Sequence, residues 1–562
     1  MPKQILKFIQ KNIILVSIIL LAAVLRFILL SQSPPSLNWD EVSHGYNAYS
    51  ILKTGKDEWG VTFPTIFRAY GDYKLPVYIY LTSISEFFLG LNTLAVRLPS
   101  ILAGIGIVIF TYLLTKKLFN KKVALIAALL VAIEPWSLFL SRGAFEANLA
   151  LFFIVSGVYF FISGIKKTKL LPISAVLLGL SVWTYNSARV FVPLLLLALV
   201  ILYKKKLLKK WKKEKKNIVL GGILALILLA PMFLQLLNPS GQARYGWVAI
   251  IDEGAITKIN EGRSLSELSP LLARTVYNKG TYFVTKFASN WLSHYSPDFL
   301  FFEGGTHYQF SIPHHGLLYI VNLVFFLIGL FVLVKKSKKS SWLLLVWFVL
   351  APIPSSLTRE APHVLRAITM IPVSMIISAS GFVAVMKWFK KKYRKFLIIV
   401  YMLVLAIFTG NYLVEYFGAY RTDYSWSWQY GYEEAVNYAK ENYDQYDKII
   451  VTKKYGEPHE FFLFYWPWNP NDYRNDDNLV RFHQTDWYWV DAFDKFYFVN
   501  DWEMPEGGTT FVLESKTEVD CSGSNCLLIT SPGNYPIGWD KLDTIKFIND
   551  LPAFEIYEKT IK

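Results

Sequence analysis

The stretch NIILVSIILLAAVLRFILLSQSPPSLNWDEVSHGY, Asn12 to Tyr46, governs the reading of the whole chain. Its first part, Asn12–Leu30, is an apolar run with one charge, Arg26. About 20 such residues make a helix that crosses a bilayer. The run is too long for a cleaved signal peptide, and no clear small-x-small site comes after it, so it reads as a retained membrane helix. A polar loop comes next, and within about ten residues of the membrane exit it carries two adjacent carboxylates, Asp40 and Glu41.

Working outward, ten further apolar runs have spanning character: Leu94–Leu114, Val123–Leu140, Asn148–Ile165, Leu170–Asn186, Ala188–Tyr203, Ile218–Leu237, Leu317–Val334, Ser341–Ser356, Ala367–Met386 and Phe396–Tyr416. The expectation is therefore an all-α polytopic membrane domain of about eleven transmembrane helices. The run Leu75–Leu91 is also apolar. Its Glu86 and many aromatics suit a helix lying in the interface, or a re-entrant piece, better than a further crossing.

Lysine clusters fix an orientation. They fall at Lys3/Lys7/Lys11, Lys116–Lys122, Lys166–Lys169, Lys204–Lys216, Lys335–Lys339 and Lys387–Lys395. With a cytoplasmic N-terminus, eleven crossings put all six on the cytoplasmic side, as the positive-inside rule requires. The C-terminal part is then extracytoplasmic, and the protein is a multi-pass resident of the cell membrane. The exposed outer segments are Ser31–Thr93, Asn238–Gly316, Leu357–Arg366 and the tail, and they hold all eight histidines. Chemistry, if present, faces outward.

Composition agrees. The 562 residues are 53% hydrophobic and only 18% charged, below the roughly 25% charged of soluble domains. The 17% aromatic content excludes a mainly disordered chain. The net charge of +16 divides into +28 before Tyr416 and −12 from Tyr416 to Lys562. Opposite charge in two compartments explains this better than a polyanionic partner, and an acidic tail argues against nucleic acid. The expected domains are 1–415, a membrane domain with outer loops 31–93 and 238–316, and 416–562, a soluble α/β or α+β domain.

In the tail, Gly431–Asn442 reads as a helix. Lys448–Lys454, Phe496–Asn500, Thr509–Ser515, Cys526–Ser531 and Ala553–Lys559 read as strands. The aromatic clusters Trp426–Tyr432, Phe464–Trp468 and Trp487–Trp489 could stack on sugar rings, fill a core or sit at an interface. The only cysteines, Cys521 and Cys526, suit a disulfide outside the cytoplasm, but free thiols or a weak metal pair fit the spacing too. His307, His314 and His315 share a loop without a recognised zinc spacing, so no metal and no cofactor is expected, with a divalent ion left open.

The carboxylate pair has two readings. Val42, Tyr46 and Tyr49 lie at helical spacing, so a surface helix could hold Asp40 and Glu41 near the headgroups, where a carboxylate can deprotonate a hydroxyl. Equally, Asp40 could cap that helix and Glu41 could favour its dipole. Arg142 and Glu146, four apart, could simply pair.

The ordered set of elements resembles the GT-C superfamily of membrane glycosyltransferases, in particular protein O-mannosyltransferases and lipid A aminoarabinose transferases. The set comprises Arg26, Asp40-Glu41, YKLPVYIY (Tyr73–Tyr80), RLPSILAG (Arg97–Gly104), EPWSLFLSRGAFEANLALFF (Glu134–Phe153) and TREAPHVLRAITMIP (Thr358–Pro372). It covers roughly residues 10 to 385, and differs in having KLP where relatives usually have KPP. The resemblance implies transfer of a sugar from a polyprenyl-phosphate carrier to a hydroxyl of a protein, lipid or glycan at the outer membrane face. It implies Asp40 as general base and Glu41 as its support or an acceptor-orienting group. Lys74, Arg142, Arg359, His363 and Arg366 become donor-phosphate groups, although each arginine could equally contact lipid headgroups. The implied partners are the lipid-linked sugar, its acceptor and membrane lipids. Rival readings are a transporter or flippase for lipid-linked sugars, which should show charges or broken helices at mid-membrane, a polysaccharide polymerase or ligase, and a receptor with an outer sensing domain.

Overall fold

The computed structural model describes residues 10–71, 73–238, 246–484 and 487–561. Lys3 and Lys7 of the first basic cluster lie outside the described residues. The chain forms two units, one of residues 1–28 and 100–412, the other of 29–99 and 413–562. The sequence expectation put residues 31–93 with the membrane helices; the structure folds them with the tail.

Among the described residues, five helices are long and apolar enough to cross a membrane: Thr93–Leu118, Glu146–Gly164, Asn186–Gln235, Ile368–Trp388 and Lys391–Asp423. In the first unit, the helix Ile13–Phe27 carries in its last turn Arg26, which has no exposed surface. A buried guanidinium must satisfy its donors. The two Nη groups of Arg26 donate to the carbonyls of Ala22, Val131 and Ala132 and to Ser137 Oγ. Further along, Glu134 accepts from Tyr319 N (2.7 Å) and Asn322 Nδ2 (2.5 Å), and Tyr401 donates to Asn322 Oδ1 (2.7 Å). Polar groups among apolar helices thus bind chain segments far apart in sequence.

The runs Ala188–Tyr203 and Ile218–Leu237 are both helical and are joined through the basic segment. The 50-residue helix Asn186–Gln235 is broken at Glu214, where φ is −134° and ψ 30°. Arg189, near one end, donates to Gln235 Oε1 at 2.6 Å, near the other. Its two arms therefore fold back antiparallel, with the lysines at the turn. The expected span Leu170–Asn186 is shorter than read: its helix, Leu171–Val182, has 12 residues, about 18 Å at 1.5 Å per residue. That is well short of a bilayer core. Gly179 brings it close to the second arm, where an added Cβ would meet Leu228 at 2.3 Å.

The second unit is built on a seven-stranded mixed sheet. Its strands are β3 (Lys448–Thr452), β4 (Val480–Gln484), β5 (Trp487–Phe493), β6 (Phe496–Val499), β9 (Cys526–Thr530), β10 (Asp540–Lys546) and β11 (Pro552–Lys559), in the order β10-β11-β9-β3-β6-β5-β4. Short pairs β1 (Phe67–Arg68) with β2 (Tyr73–Lys74) and β7 (Thr510–Val512) with β8 (Glu518–Asp520) stand apart from it. Strand β3 runs parallel to β6 and β9, and its Ile449, Ile450 and Val451 are fully buried. Such β-branched runs are what the centre of a two-face-covered sheet requires. Cys521 and Cys526 form a disulfide.

In the same unit, Leu75–Leu91 is a helix over Pro76–Leu89, started by its proline at the first position. Tyr78, Ile79, Thr82 and Glu86 are buried on one side, while Ile84, Phe87 and Phe88 are exposed. That division is the pattern of an interfacial helix.

Candidate functional site

Asp40 lies in the first turn of the helix Trp39–Thr54. The cap is not Asp40, as the sequence allowed, but Asn38. Its Oδ1 accepts from Glu41 N (3.0 Å), and Glu41 Oε2 accepts from Asn38 N (3.2 Å), a reciprocal capping box. Gly55 closes the helix in the left-handed conformation, φ +70°.

The two neighbouring carboxylates have different fates. Glu41 points inward, 1% exposed, and meets Arg97 Nε and Nη2 at 2.9 Å each. Arg97 is fully buried, and its remaining donors close on the carbonyls of Leu30, Pro34 and Ser36. Asp40 points outward: its side chain is 43% exposed, and Lys74 Nζ approaches Oδ1 at 2.7 Å. Lys74 stands on β2, just before the Pro76 helix start.

The backbone around Asp40 is held from several directions. Trp39 N donates to Gln429 Oε1 (2.7 Å), and Tyr70 Oη donates to Trp39 O (2.8 Å). The Trp39 ring covers Gly456, where an added Cβ would come within 2.2 Å of it. Beside this, Tyr70 stacks on Trp487, and Arg68 lies over the Trp59 and Tyr488 rings. The WYW cluster is therefore strand β5, packed against the first-loop segment, a strand the sequence reading did not find.

The other expected site residues belong to the first unit. Arg142 is fully buried and donates to the carbonyls of Leu25 (2.6 Å) and Ile28 (2.7 Å), so these two donors brace the end of the first helix. Arg366 is nearly buried and bonds Thr358 Oγ1 (2.9 Å) and Glu360 Oε2 (2.8 Å). Arg359 reaches Asp252 Oδ2 at 3.2 Å. His363 accepts from Arg366 N through Nδ1 (3.3 Å) and packs on Phe310. The structure thus joins Asp40 with Lys74, and Arg366 with His363.

Sequence reasoning missed a buried cluster in the second unit. Glu58, His459 and Glu460 each offer a ligand atom, all within 4.8 Å of one another. Burial pushes the Glu58 carboxyl up to about 7 and that of neighbouring Glu457 up to about 8, and holds His459 well below its usual range. The adjacency Pro458-His459-Glu460 was visible, but Glu58 is some four hundred residues away and no spacing joins them.

Comparisons with known proteins point the same way. A family model described as dolichyl-phosphate-mannose-protein mannosyltransferase matches residues 74–234. Two Bacillus subtilis (strain 168) proteins named as candidate mannosyltransferases are similar over short stretches. YkcB is 34% identical over 98 residues and YycA 31% over 97, each 17% of this chain. The matched stretch spans 14% of either relative's length. The solved structure of ArnT from Cupriavidus metallidurans bound to undecaprenyl phosphate superposes with a TM-score of 0.51 at 11% identity, covering 97% of both chains.

Proposed function

We propose, on the premise that these likenesses point to the GT-C superfamily and that the chain carries its fold, that it is a membrane glycosyltransferase. It takes a sugar from a polyprenyl-phosphate carrier and passes it to a hydroxyl of a protein, lipid or glycan at the outer membrane face. The observation that carries this reading is the contrast in one helical turn: Glu41 is committed to Arg97, while Asp40 is half-exposed and in contact with Lys74.

Asp40 takes the proton of the acceptor hydroxyl as its oxygen bonds to the anomeric carbon. The bond from that carbon to the carrier phosphate oxygen breaks, and the electron pair leaves with the phosphate. The growing negative charge needs a cation. Lys74 supplies one when the donor phosphate draws its ammonium away from Asp40, which also frees the base. With one carboxylate available in that turn, the reading favours a single displacement with inversion. Glu41 acts as a positioning residue. Arg359, His363 and Arg366 are proposed as further donor-phosphate groups, and Arg142 as a brace whose carbonyl contacts leave it a supporting part. The test uses membranes containing the full chain and polyprenyl phosphate carrying a radiolabelled sugar. Chain-dependent loss of label from the lipid is expected; label unchanged across a panel of carrier-linked sugars and acceptors overturns the reading.

A further inference from the structure

The cluster beneath the Trp39–Thr54 helix gathers more buried carboxyl groups than the cations beside it pair. Glu58 is 2% exposed, His459 3% and Glu460 0%. Glu58 Oε1 accepts from Asn47 Nδ2 (3.2 Å) and Trp59 Nε1 (3.1 Å), which leaves Oε2 for the cluster. Among the described residues, Glu58 Oε2, both oxygens of Glu460 and His459 Nδ1 have no hydrogen bond of ordinary geometry. Ser43 and Glu58 are polar neighbours of Glu460. Buried carboxylates left in this state are expensive unless a cation or a shared proton meets them.

The surrounding cations meet that need only in part: the charge of Arg481 favours the Glu58 carboxylate without a hydrogen bond to it, and that of Lys453 favours Glu457. Arg481 spends Nη2 on the carbonyl of Glu58 (2.8 Å) rather than its carboxylate, and its plane lies over Trp59 and Tyr473. Lys453 is paired to Asp491 and Glu514. Asp57 and Glu457 are further acidic neighbours, while Tyr46 and Tyr70 are neutral phenols. Arg474, the other cation near Tyr46, donates to Ser50, Thr54, Asn471 and the carbonyl of Asp57.

The arrangement is that of a small ligand set. His459 Nε2 faces Glu460 Oε1 at 3.9 Å, and its Nδ1 faces Glu457 Oε2 at 3.6 Å. An imidazole with a carboxylate behind its second nitrogen is the usual support of a metal-binding histidine. Donor atoms around a tetrahedral ion with bonds of about 2.1 Å stand about 3.4 Å apart, so a contraction on the order of 1 Å closes the set. We propose that Glu58, His459 and Glu460 bind a divalent cation of the zinc class, with Glu457 orienting the histidine. Two carboxylates and one imidazole suit that borderline ion and leave a fourth position for water. The ion would neutralise the two carboxylates. Through Asn47–Glu58 and Ser43 beside Glu460 it would fasten the helix whose first turn carries Asp40. It takes no part in the proton transfer assigned to Asp40.

The test is metal content, read without any sugar transfer, so its failure and that of the glycosyltransferase reading are distinguishable. The full chain in detergent is stripped with chelator, loaded with zinc alone and desalted. Wild type is expected to retain about one zinc per chain, with X-ray absorption reporting nitrogen and oxygen ligands and no sulfur. His459→Ala and Glu460→Gln are expected to lose most of it while eluting as the same monodisperse species. Should either variant fail to fold, the absorption spectrum of the wild type alone decides by its ligand set. Wild type that retains no zinc, or variants that retain as much as wild type, would overturn the proposal and leave a proton shared between Glu58 and Glu460.

Discussion

Glu41 and Arg97 form a fully enclosed two-bond ion pair, both bonds 2.9 Å, one residue away from the half-exposed Asp40. The pair ties the start of the Trp39–Thr54 helix to the second turn of Thr93–Leu118, while the capping box uses the same carboxylate. A single acidic side chain thereby sets the direction in which its neighbour points.

Breaking that pair should unfold more than it inactivates. Arg97→Ala leaves Glu41 buried without a counter-charge, which costs about 3–5 kcal/mol. Arg97→Lys should fall between, because an ammonium cannot make the two-bond fork. Thermal unfolding in detergent checks the order wild type, Lys, Ala. Equal midpoints for all three would show that the pair contributes nothing to stability.

Asp40→Asn should behave oppositely. Its side chain is open to solvent and outside the capping box, so the thermal midpoint should stay near wild type. Loss of a general base should lower turnover by about 10²–10⁴-fold. Turnover of carrier-linked sugar within a few-fold of wild type would remove Asp40 from the role.

Lys74→Ala should act on the donor. Losing Lys74 removes the cation that meets the carrier phosphate and the 2.7 Å contact with Asp40. The apparent donor KM should rise, and Lys74→Arg, which keeps the charge, should restore much of it. A changed turnover with an unchanged donor KM would make Lys74 merely structural.

Stability of the metal-free protein should fall as pH rises from about 6.5 to 8. Glu58 and Glu457 titrate at about 7 and about 8 in the fold, above the 4.5 of an ordinary glutamate. The folded state therefore holds protons that the unfolded chain has released, and this advantage is lost through those two values. His459 is depressed, so its contribution is lost only on acidification below its ordinary 6.5. The alkaline loss should be on the order of 2 kcal/mol. Glu58→Gln should flatten it, and a slope unchanged in that variant would assign it elsewhere. Thermal midpoints in chelator across this range provide the measurement.

Much of the architecture was legible because it rests on local signals. Apolar runs, lysine turns and β-branched stretches announce themselves one window at a time. The run Leu75–Leu91 stood out because Glu86 interrupts its apolar sequence, and in the structure Glu86 is on the buried side of the helix Pro76–Leu89. The features that stayed hidden depend on contacts between distant residues. Trp487–Trp489 was legible as an aromatic cluster but not as a strand, because alternation in WYWVDAF is masked by aromatics on both faces. The pairing of Glu41 with Arg97 spans 56 positions, and Glu58 with His459 far more, and no periodicity encodes either. Asp40 and Lys74 stood out in the sequence, yet that they touch one another did not.

The seating of Trp39 against Gly456 and Gln429 bears on how such chains can be recombined. A graft that exchanged only the residues after the last apolar helix would swap in a foreign socket for that indole and leave the acidic turn unsupported. Successful chimeras should exchange residues 29–99 and 413–562 as one inheritance, even though more than three hundred residues of sequence separate them.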